Sequence, residues 1–266
     1  MAKHSVYAAS KIFGEEKFHV VLLFLSSRVN VHAGHNPDGK SACGAIGFIR
    51  ESTEARKVKD AVISQLRQLG HTVYDCTCEN GTSQSDVLTK IVNACNAHTV
   101  DLDVSIHFNS GAKDSSGNGK TTGVEVLVYS ASSKAGPYAE KVCVAVAGLG
   151  FRNRGVKVRT DLRFLKQSKA PAMLVESCFV DDKDDVQLYD YQKMADAIVY
   201  GITGQRVQPA EGPADPEAAA PGAETAVSGT KQLYRVQVGA YTVKGNATAM
   251  QAKLKAAGFD AIIVNA

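Results

Sequence analysis

Apolar positions recur at helical spacing from about Ser52 to Leu69, where Ala55, Val58, Val62, Leu66 and Leu69 form one stripe and Gly70 follows as a stop. Ser52 or Thr53 is the expected cap of this helix. The same period returns over Asp86–Ala97, carried by Val87, Leu88, Ile91, Val92 and Cys95. Further helices are expected at Ser133–Leu149 and Tyr189–Ile202. Between them lie short apolar runs of strand length at Val29–Val31, His71–Cys76, Leu102–Ile106, Val124–Tyr129 and Pro171–Val175. Gly-rich loops are expected at 34–47 and 110–123. Strands alternating with helices predict an α/β fold, with a mainly parallel sheet and helices on both faces. Ligand sites in such sheets gather at the carboxyl ends of the strands.

The pattern changes at both ends. Residues 205–230 hold four of the seven prolines and almost no large apolar side chain, which reads as a linker spanning about 25–30 Å if flexible. Beyond it, Tyr234–Gly239, Thr242–Ala257 and Asp260–Val264 predict a small C-terminal β-α-β unit. Near the start, Phe18–Leu25 is apolar but only about half the length of a membrane span. Glu15 and Glu16 precede it, Arg28 follows at once and no small-residue cleavage site is present. This favours an N-terminal extension leading into the first strand over a signal sequence. The expected organisation is an extension at 1–27, a principal domain at 28–204, a linker at 205–230 and a small segment at 231–266.

Composition narrows the class. Of 266 residues, 44% are hydrophobic and 21% charged, as in soluble globular proteins. A net charge of +3 gives no basis for nucleic-acid binding. The six cysteines show no CxxC pair, and a chain this long needs no disulfide framework. Reduced, buried thiols are expected, which fits synthesis in a reducing cytoplasm.

Candidate chemistry lies where the strands end. A loop after Val29–Val31 carries His32 and His35; His107 follows Leu102–Ile106; Glu176 follows Pro171–Val175. Glu51 opens the first helix on the inward side of its stripe, and Glu54, one turn along, is its competitor. Each histidine alone is more often a satisfied half-buried side chain, and each carboxylate more often an ion-pair partner. Together, two imidazoles and a carboxylate leave an open position on zinc, the arrangement of hydrolytic sites. Glu176, isolated at a buried strand end where its pKa rises, is the expected proton carrier. Two rival readings are weaker. Gly117–Thr121 looks like the end of a P-loop, but Asp114 stands where glycine is needed and a strand follows. A cysteine hydrolase would pair Cys178 with His107, with Cys178 two residues beyond Glu176 and facing its side, yet nothing marks that thiolate as activated.

These residues lie in VHAGHNP (31–37), RESTEARKV (50–58), LDVSIHFNS (102–110), GVEVLVYS (123–130), RNRGVK (152–157) and APAMLVESCFVDD (170–182). The ordered set resembles the zinc-dependent N-acetylmuramoyl-L-alanine amidases of the amidase-3 type, endolysins included, over about 28–204. The resemblance implies that His35, Glu51 and His107 bind Zn2+ and that Glu176 is the catalytic carboxylate. It implies peptidoglycan as substrate, with action on the cell wall after release or lysis. The Glu51-to-Gly70 spacing matches the family's ligand glutamate better than Glu54 does. Ala55 departs from the asparagine that the family often has there. Arg154 and Lys157 are candidate holders of stem-peptide carboxylates. The stretch 233–264 resembles the first half of a SPOR domain, which implies glycan binding. A non-catalytic wall-binding protein and a zinc peptidase cutting within the stem are the alternatives.

Overall fold

A computed structural model describes residues 18–22, 26–207, 237–241, 244–256 and 261–265. The chain divides into two compact units, one of residues 26–209 and one formed by the two ends, 1–25 with 210–266. The first strand, β1 (Phe18–Leu22), belongs to the smaller unit.

The larger unit is built on β2 (Arg28–Ala33), β3 (Thr72–Asp75), β4 (Leu102–Asn109), β5 (Val124–Val128), β6 (Asn153–Val158) and β7 (Ala172–Phe179), in spatial order β3-β2-β4-β7-β5-β6. Neighbours run parallel except β5 and β7, which are antiparallel. The expected mainly parallel sheet is therefore present, with one reversal, between its fourth and fifth strands. Its helices are α1 (Glu51–Gln68), α2 (Gln84–Asn96), α3 (Gly136–Ala147), α4 (Arg163–Gln167), α5 (Lys183–Leu188) and α6 (Tyr191–Thr203). α1, α3 and α6 bury their stripes on one face of the sheet, against Val29, Val31, Val104, Ile106, Met173 and Val175. α2 and α4 cover the other face, against Leu127, Ala172 and Leu174. The α1 stripe of Ala55, Val58, Val62 and Leu66 is fully buried.

Three elements of this larger unit were not expected: β6, α4 and α5. β6 is an edge strand broken by charged residues and by Gly155 at φ 76°, so it carries no clear alternation. α4 and α5, at 5 and 6 residues, are too short to display a helical period. The cap of α1 is also corrected. The helix begins at Glu51 after Arg50, with no side-chain cap, because Glu51 turns inward and Ser52 is buried.

In the smaller unit the expected β-α-β is present as β8 (Gln237–Tyr241), α7 (Lys244–Ala256) and β9 (Ala261–Asn265). Its sheet has the order β8-β1-β9, with β1 antiparallel to both neighbours. Phe18–Leu22 of the N-terminal apolar run is thus the middle strand of this sheet, where the run was expected only to lead toward the larger one. The physical reason is a split β-α-β: strands joined by one crossover helix leave a slot between them, and an apolar strand suits that central position. The linker expected at 205–230 falls, from 208 onward, outside the described residues, as do residues 1–17. Among the described residues no helix is long and apolar enough to cross a membrane.

Candidate active site

Strand alternation puts a polar row on the α2/α4 face of the sheet. Asn30 pairs with Asp103, His32 with Ser105, His107 with Glu176, and Glu176 with Glu125 across β2, β4, β7 and β5. His32, expected in the loop, is instead inside β2 and almost fully buried. Its ring packs edge-on at 4.6 Å against Phe164, and burial together with the nearby His107 lowers its pKa to about 3. It is a neutral imidazole beneath the site and stands outside the group of converging donors.

That group is His35, Glu51 and His107, whose donor atoms all lie within 4.8 Å of one another. Glu51 Oε1 sits 2.9 Å from His107 Nδ1 and 3.3 Å from His35 Nε2. The same carboxylate accepts the backbone N–H groups of Ala45 (2.8 Å) and Phe108 (3.2 Å), which fix it. Burial alone would raise the Glu51 pKa, but hydrogen bonds and charge from His107 and His35 hold it well below the ordinary glutamate value. Burial pushes His107 down. An ionised carboxylate beside an imidazole biased toward neutrality is the donor chemistry a divalent metal needs. The backbone is fitted to these rings. A Cβ on Gly34 would lie 2.0 Å from His107 Cε1, and one on Gly44 would lie 2.5 Å from Glu51 Oε2. His35 itself adopts φ 67°, an uncommon conformation for a side-chain-bearing residue.

Glu176 lies on β7 in register with His107 and opens into the same cleft, a cavity of about 420 Å³. Its Oε2 has no hydrogen-bond partner among the described residues. Burial, then the charges of Glu51 and Glu125, push its pKa up to about 8, with Arg159 acting in the opposite sense. α2 supplies an apolar wall through Val87, Leu88 and Ile91, while Arg159 and Arg163 line the cleft as cations. Larger clefts beside α1 carry no histidine.

The other candidates separate from this cluster. Glu54 pairs with Lys57 at 2.8 Å and accepts from the Tyr189 hydroxyl at 3.1 Å. Arg154 pairs with Glu125 at 2.8 Å and lies over the Phe179 ring. Lys157 is exposed on β6 and does not line the cleft. Cys178 does not face the Glu176 side. A register shift between His107 and Asn109 breaks the alternation, and the thiol is fully buried in the opposite core with its pKa raised well above the ordinary value. The six cysteines are all free, as expected. The Gly117–Thr121 loop donates its amides to Asp114 and Asp184 and leads into β5. Asp181 accepts from Gly111, Ala112 and Lys113, so the acidic run 181–185 anchors this loop. Reading by sequence missed Arg159, Arg163 and this anchoring role, for which the acid-rich DDKDD run was the available signal.

Comparison with known proteins accords with this geometry. Residues 29–204 match the model of the family described as N-acetylmuramoyl-L-alanine amidase (Amidase_3), and residues 212–265 match that of the SPOR domain. An uncharacterized protein of Clostridium perfringens (strain 13 / Type A) is 34% identical over 166 residues, covering 61% of this chain and 46% of its own length. The N-acetylmuramoyl-L-alanine amidase CwlM of Bacillus licheniformis is 28% identical over 185 residues, covering 69% and 64%. This chain spans about half the length of the first curated relatives it matches. Among solved structures, the catalytic domain of the CD27L endolysin targeting Clostridia Difficile superposes with a TM-score of 0.60 at 26% identity, over 68% of this chain and 99% of that one.

Proposed function

This chain belongs to the Amidase_3 family of N-acetylmuramoyl-L-alanine amidases, and from that premise we propose that it hydrolyses the amide between the lactyl group of N-acetylmuramic acid and L-alanine in peptidoglycan. Zinc is the proposed cofactor, with His35, Glu51 and His107 as its ligands and Glu176 as the catalytic carboxylate. One observation carries the reading: those three donors converge within 4.8 Å, and the two histidines among them line the cleft onto which Glu176 opens. Two imidazoles and one carboxylate leave a fourth position open. When bound there, zinc supplies a water of lowered pKa and an electrophile for the substrate carbonyl.

The remaining work falls to the protein. Glu176 takes the proton of the attacking water and delivers it to the departing alanine nitrogen. Its raised pKa suits the delivery. With Glu51's charge spent on a cation, one of the two repulsions that raise Glu176 is relieved, and the carboxyl ionises more readily for the first transfer. The apolar α2 wall narrows water access on one side of the cleft.

In this reading, 28–204 is the catalytic domain and 205–230 a linker. The C-terminal segment, 231–266, forms with β1 a wall-binding module of the SPOR kind. Six free thiols fit synthesis in the cytoplasm, with action on the wall after release or lysis. Mass spectrometry of purified sacculi digested with the zinc-loaded full chain is the test. Stem peptides released with a new N-terminal L-alanine are expected. Cuts between stem amino acids, or binding with no release, would reject the proposal.

A further inference from the structure

Two arginines line the cleft, Arg159 and Arg163, and each leaves one guanidinium nitrogen without a partner among the described residues. Arg159 follows β6 directly, and its backbone N–H donates to Val128 O at 2.9 Å, which fixes its position beside the end of β5. Its Nε and Nη2 engage Asp161 at 2.9 and 2.8 Å, leaving Nη1 without a partner among the described residues. Both members of this two-pronged pair are well exposed, at 47% and 64%, so solvent screens it and another carboxylate can join it at Nη1 or compete with Asp161. Asp161 lines the cleft with Arg159, whereas the partners of Arg163 lie outside that lining and Arg154 does not line the cleft. Arg163 holds the Ser85 carbonyl and Gln167, and Arg154 holds Glu125.

We infer that Arg159 is a specificity-determining subsite for a carboxylate carried on the peptide side of the scissile amide. The inference rests on the amidase reading and deepens it. The chemistry of the substrate class narrows the ligand. The lactyl carboxyl is consumed in the amide to be cut, and an N-acetylated sugar is neutral. An anion close to that amide therefore lies on the stem peptide. The nearest is the α-carboxylate of a second-position glutamate linked through its γ-carboxyl. A guanidinium matches a carboxylate in charge and in planar, two-pronged geometry, and rejects the neutral carboxamide that replaces it in amidated stems. The apolar α2 wall, formed by Val87, Leu88 and Ile91, offers a place for the alanine methyl.

Arg159 also faces Glu176 electrostatically, so an absolute rate would mix two effects. The readout is therefore a ratio. Two synthetic muramoyl peptides, N-acetylmuramoyl-L-alanyl-γ-D-glutamyl-L-lysine and its α-carboxamide counterpart, are given to the zinc-loaded full chain, and kcat/KM is measured for each. The wild type is expected to prefer the free acid by about tenfold or more. Arg159→Gln brings the ratio near one, chiefly by raising KM for the acid, and Arg159→Lys keeps an intermediate preference. Because Arg159 is exposed, these variants keep the wild-type melting temperature. A wild-type ratio near one, or a preference that survives Arg159→Gln, overturns the inference. Failure of the wild type to cut either peptide before L-alanine overturns instead the amidase reading on which it rests.

Discussion

Replacing Gly34 by alanine tests the metal centre without touching a ligand. Gly34 follows β2, and its amide is held by Ile106 O at 3.0 Å, so the backbone there is fixed. An added Cβ would lie 2.0 Å from His107 Cε1 and 2.1 Å from Nε2, where ordinary contact begins at 3.4 Å. The imidazole must retreat by about 1.4 Å to clear it. Metal–ligand distances tolerate only about 0.2 Å, so that retreat takes His107 out of coordination. Turning the ring off its preferred rotamer costs about 0.5–1.5 kcal/mol, and each kcal/mol lowers Tm by about 2–4 °C in a domain of this size. The metal-free variant therefore melts only a few degrees below wild type. Zinc affinity falls much further. Loss of a supporting contact costs about 10–100-fold, and loss of the ligand should reach or exceed the upper end. Titration against a chromophoric chelator measures the affinity, and melting with and without zinc checks it, because a hundredfold weaker site forfeits about 2.7 kcal/mol of ligand stabilisation at a fixed excess of metal. Gly136→Ala, at a helix start where an added Cβ meets nothing within 4 Å, is the control. Wild-type zinc affinity in Gly34→Ala would remove His107 from the ligand set.

Three further outcomes are expected. Glu176→Gln keeps zinc but loses about 10²–10⁴ in kcat, whereas His35→Ala loses both metal and turnover; a zinc-replete Glu176→Gln lysing sacculi at the wild-type rate would refute the role given to Glu176. Iodoacetamide leaves activity intact, because Cys178 is fully buried with a raised pKa, while a strong chelator abolishes activity and added zinc restores it; the reverse pattern would revive the thiol reading. In metal-free protein the Glu176 pKa, raised from 4.5 to about 8, makes a stabilising contribution that is complete below pH 4.5 and lost as pH rises through 8. The Tm of wild type relative to Glu176→Gln should therefore fall between pH 5 and pH 9, and a constant difference would contradict that assignment.

The legible part of this site and the hidden part differ for a physical reason. His35, His107 and Glu176 end or follow apolar runs, so local spacing alone sends them to one rim of a parallel sheet. Glu51 was legible from the helical stripe behind it. Arg159 was not, because β6 is a charged edge strand without alternation, and a register shift between Val124 and Val126 decides which of its bases meets the cleft. Arg154 and Lys157 looked equally suitable in the linear pattern. The bulge between His107 and Asn109 likewise sends Cys178 to the side opposite that expected from counting along β7. The seat of β1 between β8 and β9 depends on a pairing that joins the two ends of the chain, which no window of periodicity can register. One signal was present in the strands themselves. A parallel sheet covered on both faces should be apolar throughout. Here Asn30, His32, Asp103, Ser105, His107 and Glu176 occupy alternate positions on one face. Such side chains are costly to bury without partners, and His32 Nε2, Asp103 Oδ2 and Glu176 Oε2 have none among the described residues. A fold retains an expense of that kind where function needs it, and this row runs to the cleft that holds the imidazoles.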